Sequence, residues 1–94
     1  MIIDPAEGLG LVAGAIGALA FAPQALKILK EKRVADVSLL TYVMVLSGAL
    51  LWAGYGLMRG APSIVLWNLV AASLAGAVVA GKLHWSRPQT DHSI

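Results

Sequence analysis

The 94-residue chain has no cysteine, which excludes disulfides, thiolate metal sites and cysteine nucleophiles. Charge is scarce as well: 13% of the residues are charged, where an ordinary soluble domain carries about 25%. Both histidines, His84 and His92, lie in the last polar stretch. No Asp, Glu, Lys, Arg or His stands deep in any of the apolar segments, so the groups on which proton relays and ion-coupled pumps depend are missing. Ser38, Thr41, Ser47 and Ser73 have no base to activate them, and their hydroxyls are expected to bond helix carbonyls. The chain therefore reads as no enzyme, with neither a metal nor a cofactor.

What fills the chain instead is apolar: 59% of the residues are hydrophobic. Segments 8–26, 37–58 and 61–81 contain no charged side chain, and at about 1.5 Å of rise per residue each is long enough to cross a hydrocarbon core of ~30 Å. This predicts an all-α membrane protein, a bundle of three transmembrane helices over about 8–28, 38–58 and 62–82. One transmembrane domain, 1–83, is followed by a short polar tail, 84–94. The first charged residues are Asp4 and Glu7, not the basic run of a secretory leader, so the first apolar segment reads as a retained span.

The formal net charge of +2 is not a nucleic-acid footprint, because the distribution of the basic residues matters more than their sum. Lys27, Lys30, Lys32 and Arg33 lie between the first two spans, Lys82 and Arg87 after the third, and only Arg59 in the other loop. The positive-inside rule then puts the N-terminus outside and the C-terminus in the cytosol.

Span one carries small residues at steps of three and four (Gly10, Ala13, Gly14, Gly17, Ala18), the spacing of a close helix-packing face in lipid. Asp36 or Ser38 can cap span two, and Pro62 suits the first turn of span three. The short loop between those spans makes them antiparallel neighbours. Counting from it, Trp52 and Asn68 both lie about 9–10 Å below the membrane edge.

An unpaired amide in hydrocarbon costs several kcal/mol, so Asn68 requires a partner or a watery cavity. The partner reading makes it an interhelical bond that holds the bundle together. The cavity reading combines it with Trp52: an aromatic plate beside a carboxamide suits a sugar, whose C–H faces stack on rings while its hydroxyls need donors and acceptors. Trp67 and Trp85, near opposite ends of span three, read as interfacial anchors. Gly48, Trp52, Tyr55 and Arg59 share one face of span two, with Tyr55 and Arg59 toward its outer mouth, where they rim a path or anchor to headgroups. Pro23 removes one helical hydrogen bond just above the basic loop, and Gln24 can reach the freed carbonyl. The proline reads equally as a static kink or a hinge.

The "APQ" at 22–24 before a basic loop, "DVSLLTY" at 36–42, "LWAGYGL" at 51–57 and "LWNLV" at 66–70 together resemble the bacterial SemiSWEETs, half-size relatives of the SWEET sugar transporters in the PQ-loop group. The resemblance spans residues 8–83. It implies a parallel homodimer in the bacterial inner membrane that moves a small sugar downhill by alternating access, its third helix packed between the first two. It implies that Trp52 and Asn68 bind the sugar, that Pro23 and Gln24 form the hinge, that Phe21 belongs to the inner gate, and that Tyr55 and Arg59 form the outer gate. In one respect the chain departs from the group: the acidic residue often found two positions after the arginine is Ala61 here, so Tyr55 packing or a carbonyl must close the outside, or closure is weaker. Two other readings stay open: a PQ-loop transporter of another neutral solute such as an amino acid, and a small membrane scaffold that transports nothing.

Overall fold

The computed structural model describes residues 4–85, and these form three helices, α1 (Pro5–Glu31), α2 (Leu39–Arg59) and α3 (Pro62–Trp85). Each is long and apolar enough to cross a membrane, and no strand occurs among the described residues. His84 and Trp85, assigned from sequence to the tail, form the last turn of α3; the rest of that segment, including Arg87 and His92, lies outside the described residues.

Helix ends follow local chemistry. The Asp4 side chain caps α1 by accepting the Ala6 N–H, and Pro5 fits the first turn, where no N–H is needed. Ser38, the second of the two residues expected to cap α2, does so by accepting the Thr41 N–H at 3.2 Å. Gly60 ends α2 in the left-handed conformation (φ 63°), which glycine adopts without Cβ strain, and the chain reverses at once into Pro62. Lys32 ends α1 in the same conformation (φ 55°) and lies over the Trp85 ring, 5.6 Å from its centroid. The hydroxyls of Ser47 and Ser73 donate to the Val43 and Leu69 carbonyls, as mid-helix serines in an apolar setting should.

Space order differs from chain order. α3 packs against both α1 and α2, while the backbones of α1 and α2 do not meet. Glycines set the close approaches: Gly10 faces Ser63 and Gly14 faces Trp67 on the α1–α3 seam, and Gly56 faces Ile64 and Val65 on the α2–α3 seam. Of the small residues that marked the packing face of α1, Gly10 and Gly14 lie in tight contact, whereas Ala13 is exposed and Gly17 has open space where a Cβ would go. The molecule measures 53 × 23 × 16 Å. Helices are about 10 Å across with side chains, so three of them fill the two short dimensions and leave no room for an enclosed channel.

The two ends of the slab differ. At the hairpin end, α2 turns into α3. The other, basic end carries the 32–38 loop with Lys27, Lys30, Lys32, Arg33 and Lys82. There Ala25, Val37 and Val78 are buried together, with Phe21, Ile28, Leu29, Tyr42 and Leu74 packed around them.

Candidate functional site

The antiparallel register of α2 and α3 is fixed by Gly56 against Ile64 and Val65 near the hairpin and by Gly76 against Leu46 farther in. That register brings Trp52 and Asn68 to one level. α3 meets α1 along Ser63, Trp67, Leu74 and Val78 and meets α2 along Val65 and Gly76. At about 100° per residue, one strip between those seams carries Ile64, Asn68, Ala71, Ala75 and Lys82. It is partly or fully buried, while the opposite strip, Leu66, Leu69, Ser73, Ala77 and Ala80, is exposed.

The Asn68 amide donates to the Ile64 carbonyl of its own helix at 2.8 Å. This satisfies one amide hydrogen and leaves the side-chain carbonyl available as an acceptor. The bond lies within one helix, so it does not fasten α3 to a neighbour. Trp52 is 55% exposed and meets Tyr55 edge-on, ring centroids 5.2 Å apart at 85°. The recess beside these two rings is lined by Leu51, Trp52 and Tyr55, and Asn68 is not part of it. Within one chain, then, the indole and the amide share a level but not a pocket. Gly48 lies one turn before Trp52 with open space where a Cβ would stand, and Arg59 is exposed at the end of α2.

At the basic end the α1–α2 gap is bridged by rings: Phe21 stacks on Tyr42 with centroids 6.5 Å apart and planes at 29°. Sequence reasoning picked out Phe21 and not its partner; Tyr42 closes the "DVSLLTY" segment and faces inward because it lies one turn before Leu46 on the α3-facing row. Pro23 lies inside α1, which stays helical through it. Gln24 is exposed and lines a cavity of about 700 Å³ between α1 and the start of α2, with Lys27, Lys32, Arg33, Asp36, Thr41 and Tyr42 among the other lining residues. Its amide makes no bond to the carbonyl that Pro23 frees.

Three further polar features were not read from sequence. Glu7 reaches across from α1 to the start of α3, where one carboxylate oxygen accepts the Ser63 N–H at 2.7 Å and the other the Ser63 hydroxyl at 3.0 Å. The hint was Ala61: an alanine preceding the first helical residue has no side chain to cap with, so the first N–H groups of α3 need an acceptor from elsewhere. Lys82, 1% exposed, donates from Nζ to the Val34 carbonyl at 2.7 Å and the Ala35 carbonyl at 3.4 Å. Trp67, expected at the interface, lies instead against Gly14 with its Nε1 buried and unpartnered. Among the described residues no group of acidic, histidine or cysteine side chains could hold a metal ion.

The model of the PQ loop repeat matches residues 5–65. The chain is 34% identical over 77 residues to the sugar transporter SemiSWEET of Bradyrhizobium diazoefficiens, covering 82% of this chain and 90% of that one. It is 34% identical over 70 residues to the SemiSWEET of Escherichia coli, covering 74% and 79%. The chain belongs to the PQ-loop family, in its SemiSWEET group. The SemiSWEET of Leptospira biflexa is 32% identical over 75 residues, covering 80% and 88%. A crystal structure of a bacterial homologue of SWEET transporters superposes with a TM-score of 0.78 at 35% identity, covering 88% of this chain and all of the other. Three membrane-length helices and these relatives make the chain a multi-pass protein of the bacterial inner membrane, and a member of a transporter group rather than an enzyme.

Proposed function

We propose that two copies of this chain, side by side and parallel, form a facilitative transporter for a small neutral sugar, with the basic end in the cytosol. One observation carries the proposal: Trp52 and Asn68 share a level on a slab only 16 Å thick, with the indole largely uncovered. A single slab has no enclosed path, but a two-fold pair presents two indoles and two amides to one central space. The relatives named sugar transporters support sugar as the solute. The want of ionisable groups at the middle of the three described helices supports uncoupled movement, since Glu7 and Lys82 both lie near helix ends.

Alternating access assigns the remaining roles. Phe21 against Tyr42 closes the cytosolic side, bending of α1 at Pro23 opens it, and Gln24 lies in the vestibule beyond. Tyr55 and Arg59 close the outside across the pair, where Ala61 gives Arg59 no acidic neighbour two positions on. The Asn68 bond to its own helix favours this reading over a scaffold, because a bond within α3 joins no two helices.

Uptake of radiolabelled mono- and disaccharides into proteoliposomes tests the proposal. Sugar flux that is insensitive to pH and to ion gradients is the expected result, and Trp52→Ala and Asn68→Ala are expected to fold, remain dimeric and lose at least about tenfold in flux. Amino-acid flux without sugar flux would replace the substrate, and wild-type flux in both variants would remove the site.

A further inference from the structure

Lys82 is a charged side chain buried where sequence reading saw only a topological marker. Its strip of α3 is that of Asn68: the residues are fourteen apart, nearly four whole turns, which puts the ammonium about 21 Å nearer the basic end. There it meets the 32–38 loop, whose Val34 and Val37 are 4% and 7% exposed. The two carbonyls it holds, those of Val34 and Ala35, belong to a segment tied to α1. Lys32 caps α1, and the Arg33 N–H donates back to the Ile28 carbonyl at 3.0 Å.

We propose that Lys82 is a positioning residue that latches the closed basic end, by holding the loop against the Asn68 face of α3 until α1 swings away. The proposal rests on the alternating-access reading and adds to it the polar element that sets the balance between states. For the basic end to open, Phe21 must part from Tyr42, and the last turns of α1 must leave Val78. That motion drags residues 32–35 with α1 and pulls both carbonyls off the ammonium. Hydrogen bonds to a charged group in a water-poor site are worth more than neutral ones, so Lys82 favours closure until water replaces the carbonyls. The Val34 carbonyl also accepts the Val37 N–H at 3.1 Å, so removing the ammonium does not orphan it. Lys82→Met keeps most of the bulk, and exchanging a buried charge for an apolar chain of similar volume is often tolerated.

The absence of native cysteine permits a direct test. Ala25→Cys places one thiol at a fully buried position on α1, against Val37 and Val78, and Ala53→Cys places a control thiol at a buried position nearer the hairpin. The full-length protein in proteoliposomes is treated, without sugar, with a membrane-impermeant thiol reagent on the basic-end side. Lys82→Met is expected to speed labelling of Ala25→Cys about tenfold while leaving Ala53→Cys unchanged, and Lys82→Arg to restore slow labelling. Val34→Gly, which loosens the seat of the acceptor and keeps the lysine, is expected to act in the same direction and decides the matter if Lys82→Met does not fold. Equal Ala25→Cys labelling in the wild-type and variant backgrounds overturns the latch, as does faster labelling at both thiols, which would mean general loosening. Adding sugar to the Lys82-intact protein tests the other reading separately: labelling that never responds to sugar counts against alternating access, whatever the latch does.

Discussion

Glu7 caps a helix that is not its own. Its carboxylate binds the backbone N–H and the hydroxyl of Ser63, joining the hairpin ends of α1 and α3 with two hydrogen bonds between residues 56 positions apart. The negative charge also lies at the positive end of the α3 dipole. Glu7→Ala should lower unfolding stability in detergent by about 1–2 kcal/mol, as losing a helix cap does. Glu7→Gln keeps one acceptor oxygen and should lose less. Thermal melts of the two variants against wild type give the comparison, and equal melts would show that water substitutes fully for the carboxylate.

The α1–α3 seam offers a paired test at neighbouring glycines. A Cβ on Gly14 would run into the Trp67 indole, whereas on Gly17 it would meet nothing within 4 Å. Gly14→Ala is expected to destabilise by about 1–3 kcal/mol through overpacking. Gly17→Ala should be neutral or slightly stabilising, because alanine is the better helix former. Melting temperatures that fell equally for both would contradict this seam.

The Phe21–Tyr42 pair should be measurable as a coupling. Aromatic pairs contribute about 0.5–1.5 kcal/mol beyond their burial, so a double-mutant cycle of Phe21→Leu and Tyr42→Leu should return a coupling of that size in unfolding free energy. Each single variant should also raise access to a thiol at Ala25 from the basic end. A coupling near zero would mean that the rings are adjacent without holding the end shut.

Pro23 separates two ideas about α1. Pro23→Ala restores the missing N–H inside a helix that is already continuous. If the bend is used in transport, sugar exchange should slow at least about threefold with little change in equilibrium binding, because a stiffer α1 raises a barrier without touching the site. Exchange at the wild-type rate would leave Pro23 a static kink.

Much of the architecture was legible because lipid imposes it. Three uncharged runs could only be helices, and the short loop before Pro62 made spans two and three antiparallel neighbours. The common level of Trp52 and Asn68 follows from counting outward from that turn, which helical rise makes reliable over a few turns. The spatial order was different: nothing in the local pattern says that α3 lies between α1 and α2, and that expectation came from resemblance. Glu7 and Lys82 were missed for a shared reason. Each lies close enough to an apolar run to read as a topological boundary, and their partners are backbone groups or a serine dozens of residues away. Trp67 was misjudged because an indole near a helix end suits a membrane interface, and only the placement of Gly14 opposite shows that it is packed.

The central position of α3 also governs how the chain must come together as it is made. Of the three described helices α1 is made first, but its packing surface lies on α3, so Gly10 and Gly14 lack their neighbours Ser63 and Trp67 until those residues have been made. At a synthesis rate of ~5–20 residues per second, the 56 positions from Glu7 to Ser63 represent about 3–11 seconds in which α1 waits unpaired. α2 and α3, by contrast, can close as a hairpin within a turn of each other. A nascent chain halted before α3 should therefore hold a solitary α1 exposed to proteolytic surveillance, and the arrival of Ser63 is the event that captures it.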